Sequence, residues 1–313
     1  MGGSRSEAVL NAVNRRTFEY VERLDCICAA PLTGARESFN KCGGWGDVRF
    51  VRCDRCGSWC QTPHVTLPSL AAWYDSDDYQ GTAHQRGSAY VNYIDDEAAR
   101  LIEARERHRR DLAPYLRATG ARVLEVGCAT GSLLAVIRDA GHKVVGIDLS
   151  RRFAEVAQAR YGLDVHAGDF LTIPLPEESF DMVLLLGTIS NLSDIPASLE
   201  RLRRLLAGGG VLVLNYPVAD SVVARAYGSR FWMFAPSVNT FMTERGCRAA
   251  LAHAGFAVLR SRTDFQRPSL AKLVSHARLR VVLPLIDRLG LARTSVPIRI
   301  PIPGVRIAWA KAA

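Results

Sequence analysis

Glu125, Gly127 and Gly131, in the stretch VLEVGCATGSLL (residues 123–134), have the types and spacing to cradle a small ligand. A short apolar run that empties into a glycine-containing turn, followed by an apolar stretch, reads as strand, tight loop and helix N-terminus. A dinucleotide fingerprint starting at Gly127 needs glycines where Ala129 and Ser132 stand, and no Gly-Lys-Ser/Thr follows to make a Walker loop. An acidic residue at the strand end repels a pyrophosphate and suits a ligand that carries positive charge. The second chemical group is sulfur. Cys26, Cys28, Cys42, Cys53, Cys56 and Cys60 lie in the first fifth of the chain, and only Cys128 and Cys247 lie elsewhere. The opening residues lack the apolar core of a secretory signal, so this bias points to a metal site rather than to disulfides.

The elements that must position these groups follow from periodicity. Residues 5–23 read as a helix, 24–66 as a small Cys- and Gly-rich module, and WYDSDDYQGTAHQRGSAY as a polar connector running to about residue 93. DDEAARLIEARERHRRDLAPYL reads as a long charged helix with Asp95 or Asp96 as N-cap. From residue 121 strands alternate with helices: RVLEVG, KVVGIDLS, LDVHAGDF, SFDMVLLLGTI and VLVLNYP as strands one to five, then AVLRSRTDF and VRIAWAKA. PASLERLRRLLAGGG reads as a helix with a glycine stop. Such alternation predicts an α/β fold with a doubly wound, mostly parallel seven-stranded sheet. The expected division is 1–93 for the N-terminal helix, Cys-rich module and connector, and 94–313 for the sheet domain, with an insertion at about 217–242.

EVGCATG resembles the first motif of class I S-adenosylmethionine-dependent methyltransferases, with Ala129 where a glycine is more common. The resemblance implies a Rossmann-like fold and S-adenosylmethionine as the ligand, with a sulfonium, an ammonium and no phosphate. Glu125, Gly127, Cys128, Ala129 and Gly131 would then form the cofactor turn. Asp148, ending the second strand, would bind both ribose hydroxyls, since a carboxylate accepts two hydrogen bonds. Asp169 in AGDF matches the adenine-amino contact, with Leu149 or Phe170 to pack on the ring. Leu186 and Gly187, ending the fourth strand, would lie near the methionine moiety and the reacting methyl.

VRCDRCGSWCQTPHVT resembles the N-terminal zinc-binding segment of a subset of bacterial methyltransferases of sugar, polysaccharide and natural-product pathways. Their first pair is usually C-x-x-C, whereas Cys26 and Cys28 form a C-x-C. The resemblance implies a structural Zn2+ held by Cys26, Cys28, Cys53 and Cys56, a closed thiolate shell that adds folding energy to a small module. Cys42 and Cys60 are rivals for the first and last positions, and His64 is a further candidate. Free thiols without metal are the alternative. Cys128 and Cys247 read as packing positions.

A sulfonium methyl is already a good electrophile. The enzyme must align acceptor, methyl and sulfur, exclude water and, for a hydroxyl acceptor, remove a proton. The resembling enzymes often end the fourth strand in Leu-Glu-His, but Ser190 and Asn191 occupy those last positions, and neither is a base at neutral pH. A Pro-x-His common after the fifth strand is replaced by Pro236, Ser237, Val238. Tyr79, His84, Tyr90, Asn191 and Tyr216 are the candidates for a catalytic role, each weighed against an ordinary pocket-wall or surface residue. The expectation is catalysis mainly by positioning. In the insertion, Phe231, Trp232, Phe234 and Phe241 suit either a substrate wall or a core under a lid.

The leading functional reading is O- or C-methylation of a small molecule: a sugar, a polysaccharide precursor or a secondary metabolite, possessing hydroxyls or negative charge. The alternatives are an rRNA or tRNA methyltransferase with a zinc element and a non-catalytic cofactor-binding protein. The net charge of +9, with thirteen Lys or Arg against three Asp or Glu from Glu244 onward, suits an anionic substrate, a nucleic acid or a membrane surface. It equally suits a solvated Arg-rich face. The Cys module shows no basic stripe interleaved with aromatics and the chain no Asn-Pro-Pro-Tyr motif, which disfavours a nucleic acid. No apolar run reaches the ~18 residues of a membrane span. A cytoplasmic protein is expected, and its oligomeric state is not legible.

Overall fold

The Cys-rich start of the chain folds as short antiparallel strands. The computed structural model describes residues 18–41, 48–80, 93–94, 96–117, 119–231, 233–234, 237–267, 270, 274, 282–291, 294 and 296–312. In it β1 (Tyr20–Val21) lies along its partner β5 (His64–Val65), and β2 (Ser38–Lys41), β3 (Val48–Arg52) and β4 (Trp59–Gln61) form a meander. The predicted N-terminal helix lies outside the described residues up to 17, and it does not continue to 23. Pairing with His64–Val65 makes Tyr20–Val21 a strand instead, a tertiary contact overriding local helical periodicity. Helix α1 (Leu67–Tyr74), with proline in its first turn, leaves the module toward the larger domain.

In the larger domain α2 (Glu97–Arg107) starts at Asp96, which makes no side-chain cap hydrogen bond, and Asp95 lies outside the described residues. The predicted long helix ends in a π turn (His108–Leu112) and a 3-10 turn (Ala113–Tyr115). There follow β6 (Arg122–Val126), α3 (Ser132–Asp139), β7 (Lys143–Asp148), α4 (Arg151–Tyr161), β8 (Val165–Ala167) and β9 (Phe180–Leu185). Next come α5 (Ile195–Leu205), β10 (Leu206–Pro217), α6 (Val222–Tyr227), β11 (Thr240–Phe241), α7 (Glu244–His253), β12 (Phe256–Gln266) and β13 (Ile300–Ala312). The sheet order is β12-β13-β10-β9-β6-β7-β8, parallel from β10 to β8, with β13 antiparallel to both its neighbours. This is the expected doubly wound, mostly parallel seven-stranded sheet.

Period-two alternation splits the strands between two cores. Leu124, Val183, Leu212 and Leu214 pack with Leu199 and Leu202 of α5, while Val123, Met182, Leu184 and Val213 pack with Ile137 and Trp309. Both faces are therefore covered, and chain order reverses between β6 and β9, where such sheets open a ligand crevice at their carboxyl ends. One boundary differs from expectation. The helix stops at Leu205 and the glycine run joins β10 as an irregularity between Leu206 and Val211. Gly209 there adopts φ +78°, a conformation that favours glycine.

The insertion, expected as a substrate wall, packs its described residues against the Cys-rich module. Its strand β11 pairs with β4, completing a four-stranded sheet with the Cys-rich module. Phe231, Phe234 and Phe241 are buried in a cluster with Val48 and Phe50, against which Phe39 and Trp59 pack. Ring centroids of Phe50 lie 5.2 Å from Phe234 and 5.8 Å from Phe241. Trp232 and Pro236 lie outside the described residues. The aromatics bury best against one another, joining the module to the domain rather than facing a ligand. Phe50→Ala is accordingly expected to destabilise the protein by about 3–5 kcal/mol, read from urea unfolding; a loss under about 1 kcal/mol would show that the cluster does not hold the two parts together.

Candidate functional site

A cavity of about 370 Å3 opens at the carboxyl edge of the sheet. Glu125, Gly127, Cys128, Ala129, Asp148, Leu149, Asp169, Phe170, Leu186 and Gly187 all line it. They come from the ends of β6, β7 and β9 and the loop after β8, so the parallel sheet gathers residues spread over sixty positions of sequence. Gly131 stands behind this wall. It begins α3 in a left-handed conformation, φ +75°, and a Cβ there would come within 2.6 Å of Leu163 Cδ1. Gly127 is equally constrained, since a Cβ would lie 2.1 Å from Thr188 Oγ1. Ala129 adopts φ +47°, a conformation uncommon for a residue with a Cβ.

Asp148 holds that turn. Its Oδ2 accepts the Ala129 N–H at 2.7 Å and its Oδ1 the Ser150 N–H at 2.9 Å. Burial pushes the Asp148 carboxyl up to about 6, against the pull of those two N–H groups. Burial likewise pushes Glu125 up to about 8; Arg100 opposes this and the Asp148 charge adds to it. Glu125 Oε2 has no hydrogen-bond partner among the described residues. A buried carboxylate oxygen without a partner, on a residue that lines a cavity, suits a ligand cation. Asp169 Oδ1 accepts the Leu171 N–H at 3.0 Å, and the residue lines the cavity. Phe170 is buried, with the Arg201 guanidinium 5.3 Å from its ring centroid. Burial also raises the Cys128 thiol well above its ordinary range, which suits packing rather than nucleophilic attack.

The catalytic candidates scatter. Tyr79 and Asn191 line the cavity, while Tyr216 does not. Tyr216 is buried beside Cys247 behind the sheet edge, because the alternation of β10 turns it away from Asn215. His84 and Tyr90 lie outside the described residues. Tyr79 packs 4.7 Å from Tyr74 and 6.3 Å from Tyr93, and burial pushes all three hydroxyls up, so none is a base at neutral pH. Asn191 Nδ2 donates to Tyr74 Oη at 3.3 Å.

Several cavity residues escape sequence reading. Leu67, Leu70 and Tyr74 of α1 line it, so the segment that follows the Cys-rich module contributes a wall. Asp75, directly after α1, fixes that wall: its Oδ1 accepts Ser150 Oγ–H at 2.7 Å and Arg152 N–H at 3.1 Å, two residues beyond Asp148. From α2 come Arg100, Glu103, Ala104 and Arg107, one helical stripe. That spacing was visible, but charges also cover the other faces of α2, so the stripe did not stand out. Arg107 pairs with Asp264 at 2.8 and 3.3 Å; Asp264 Oδ2 accepts Asn215 Nδ2–H at 2.8 Å, and Asn215 Oδ1 accepts Gly187 N–H at 2.5 Å. Although burial opposes it, the Arg107 guanidinium holds Asp264 below the usual carboxylate range.

The sulfur cluster is separate from the cavity. The Sγ atoms of Cys26, Cys28, Cys53 and Cys56 all lie within 4.8 Å of one another. Two of the separations, 3.5 Å for Cys26–Cys56 and 3.7 Å for Cys28–Cys53, are close to the edge of about 3.8 Å of a tetrahedron with zinc–sulfur bonds. The short C-x-C works because the turn closes early: Ala29, at φ +56°, donates its N–H to Cys26 O at 2.9 Å. Gly57 closes the second knuckle on Cys53 O at 2.8 Å. Cys60 Sγ lies 3.7 Å from Cys26 Sγ but is not one of the four, nor is the buried His64. Cys42 lies outside the described residues.

Fold and cavity together define the class, an S-adenosylmethionine-dependent methyltransferase on a Rossmann-like sheet. Residues 94–261, more than half of the chain, match the family model of the methyltransferase domain, and the chain belongs to that family. An O-methyltransferase of Penicillium expansum is 29% identical over 188 residues, 54% of this chain and 67% of that protein. A ubiquinone biosynthesis O-methyltransferase of Rhodopseudomonas palustris is 28% identical over 148 residues, 46% of this chain and 56% of that protein. The chain thus spans about two thirds or less of these relatives. The magnesium protoporphyrin IX methyltransferase of Synechocystis PCC 6803, solved with bound S-adenosylhomocysteine, shares the fold at TM-score 0.52 and 16% identity, covering 79% of this chain and all of that one. No helix among the described residues is long and apolar enough to cross a membrane.

Proposed function

We propose that this protein transfers the methyl group of S-adenosylmethionine to a hydroxyl oxygen of a small molecule. The observation that carries this reading is the pair of buried carboxylates at the switch point, with Glu125 Oε2 left unsatisfied. Glu125 would take the ligand's ammonium and Asp148 the ribose hydroxyls, while Asp169 receives the adenine amino group beside Leu149 and Phe170. Arg100, whose Nε donates to Ser132 Oγ at 3.0 Å, places a cation where a ligand carboxylate would need one. When bound, the sulfonium supplies an activated methyl. The chain supplies alignment and exclusion of water, through the α1 wall and the Tyr74, Tyr79 and Tyr93 cluster. The acceptor would be a sugar-like or secondary-metabolite hydroxyl; the O-methyltransferase names of the relatives support oxygen over carbon. Cys26, Cys28, Cys53 and Cys56 would hold a structural Zn2+ with no open coordination position.

Calorimetric titration with S-adenosylmethionine at several pH values tests the reading. Burial pushes the Glu125 carboxyl up to about 8, so near neutrality it is mostly protonated before a ligand binds. A ligand cation binds the ionised form, and the proton must leave first. Affinity should therefore rise with pH from about 6 to about 8, by up to roughly tenfold per unit where one proton is released. Glu125→Gln should bind more weakly and lose this rise. Wild type and variant with the same affinity and the same pH profile would refute the assignment.

A further inference from the structure

Residues 267–299 connect β12 to β13, which are antiparallel neighbours in the sheet. Such a pair needs a connection of only about two to five residues, and one much longer is commonly functional. The composition of this one is unlike that of a solvated loop. It carries seven Lys or Arg against one Asp, most of the chain's net charge of +9, together with thirteen Leu, Ile or Val and no Phe, Tyr or Trp. Both of its roots border the cavity, since Gln266 and Ile302 line it. We propose that this connection seats the protein on the surface of an anionic bilayer.

The contact surface is built on a short helix, α8 (Leu283–Arg288), and the turn that follows it. Leu289 N–H donates to Leu285 O at 3.0 Å and Leu291 N–H to Ile286 O at 2.9 Å. Leu285 and Leu289, one helical turn apart, share a face. Leu285 is 58% exposed, Leu289 62% and Leu291 43%, and Arg288 among them is exposed as well. The turn is tied back to the start of the connection, because Thr294 N–H donates to Leu291 O at 3.0 Å and Leu270 N–H to Thr294 O at 2.8 Å. At the roots Arg267 Nη2 donates to Pro297 O at 2.7 Å, and the neighbouring Ile298 is 63% exposed. An isolated exposed leucine needs no explanation, whereas leucines grouped on one turn mark a surface that something covers.

Charge selects what covers it. A second copy of the chain would bring an equal excess of positive charge against the first, and the two would repel. A nucleic acid matches the charge but leaves the leucines in water and finds no aromatic ring on which to stack a base. An anionic bilayer matches both features. The leucines enter the boundary between headgroups and acyl chains, while the basic side chains stay among the lipid phosphates.

Vesicle flotation with the purified protein tests this. Phosphatidylcholine vesicles with about one third phosphatidylglycerol should bind it at least roughly tenfold more strongly than phosphatidylcholine alone in about 0.1 M salt, since each Lys or Arg near an anionic surface strengthens binding about fivefold. The double variant Leu285→Ser/Leu289→Ser keeps every charge and should weaken binding to the anionic vesicles by about tenfold or more. Arg288→Glu should weaken it by a similar factor, about tenfold, and make it less sensitive to salt. All three side chains are exposed, so the melting temperature should match wild type; should the double variant melt early, Arg288→Glu carries the test alone. Equal binding to the two kinds of vesicle, binding to neither, or wild-type binding by the variants overturns the proposal. So does a preference for an RNA oligonucleotide over the anionic vesicles, or a dimer that the double variant cannot form while vesicles stay unbound.

Discussion

Asp148→Asn is expected to weaken S-adenosylmethionine binding by about a hundredfold, measured by equilibrium dialysis at pH 7.5. The carboxylate accepts backbone N–H groups on both oxygens, from Ala129 and Ser150. An amide turns an N–H toward one of them, donor against donor. Losing a hydrogen bond to a charged group is worth about 1.5–3 kcal/mol. The Ala129 turn, at φ +47°, then loses the contact that holds it, and a ribose bound as proposed loses an acceptor. Together these approach ~3 kcal/mol, which is the hundredfold. One effect runs the other way: the Asp148 charge raises Glu125, so its removal makes Glu125 easier to ionise and recovers some affinity for the ligand ammonium. Affinity within about threefold of wild type would mean that Asp148 does not face the ribose.

Removing metal is expected to have the larger effect on stability and to reach the cofactor site as well. Four thiolates around one ion contribute an apparent ~10–16 kcal/mol in small zinc modules near neutral pH, and a module this small has little core of its own. Chelation, or Cys53→Ser, should lower the melting temperature by roughly 10 °C or more. It should also reduce S-adenosylmethionine affinity at least tenfold, because Leu67, Leu70 and Tyr74 wall the cavity and Asp75 clamps the loop after β7. Thr243, the N-cap of α7, donates its hydroxyl to Cys56 O at 2.7 Å, so the second knuckle is tied directly to the large domain. Cys60→Ser is the control: it should leave one metal per chain by elemental analysis. Purified protein without bound metal, or an unchanged melting temperature after chelation, would refute the metal assignment.

Much of the fold was legible because strands here are long apolar runs punctuated by glycine, and a parallel sheet needs them apolar on both faces. Leu124 and Val183 face one core and Val123 and Met182 the other, so each run signals burial without ambiguity. The cavity wall at the strand ends was legible for a related reason. Glu125, Asp148, Asp169 and Gly187 each sit at or just past a strand end, and strand ends on one edge meet wherever the order of the strands is known. The Cys pairs were legible as well, since the members of each pair are close in sequence and need only a tight turn.

The sequence by itself therefore determined the sheet, the glycine turn at the cavity and the sulfur cluster, all of which depend on local pattern repeated in order. Tertiary structure alone decided what surrounds them. Phe231, Phe234 and Phe241 went to an aromatic interface because Phe39, Phe50 and Trp59, nearly two hundred residues away, offered a better burial than the cavity. Tyr216 turned inward through strand alternation, and Tyr20–Val21 became a strand through pairing with β5. Arg100, Glu103 and Arg107 are three charges among many on a helix until α2 is laid across the cavity. The burial of Glu103 and Arg107, and their ion pairs with Arg299 and Asp264, come from packing among residues distant in sequence, and hydrophobic periodicity carries no record of such packing.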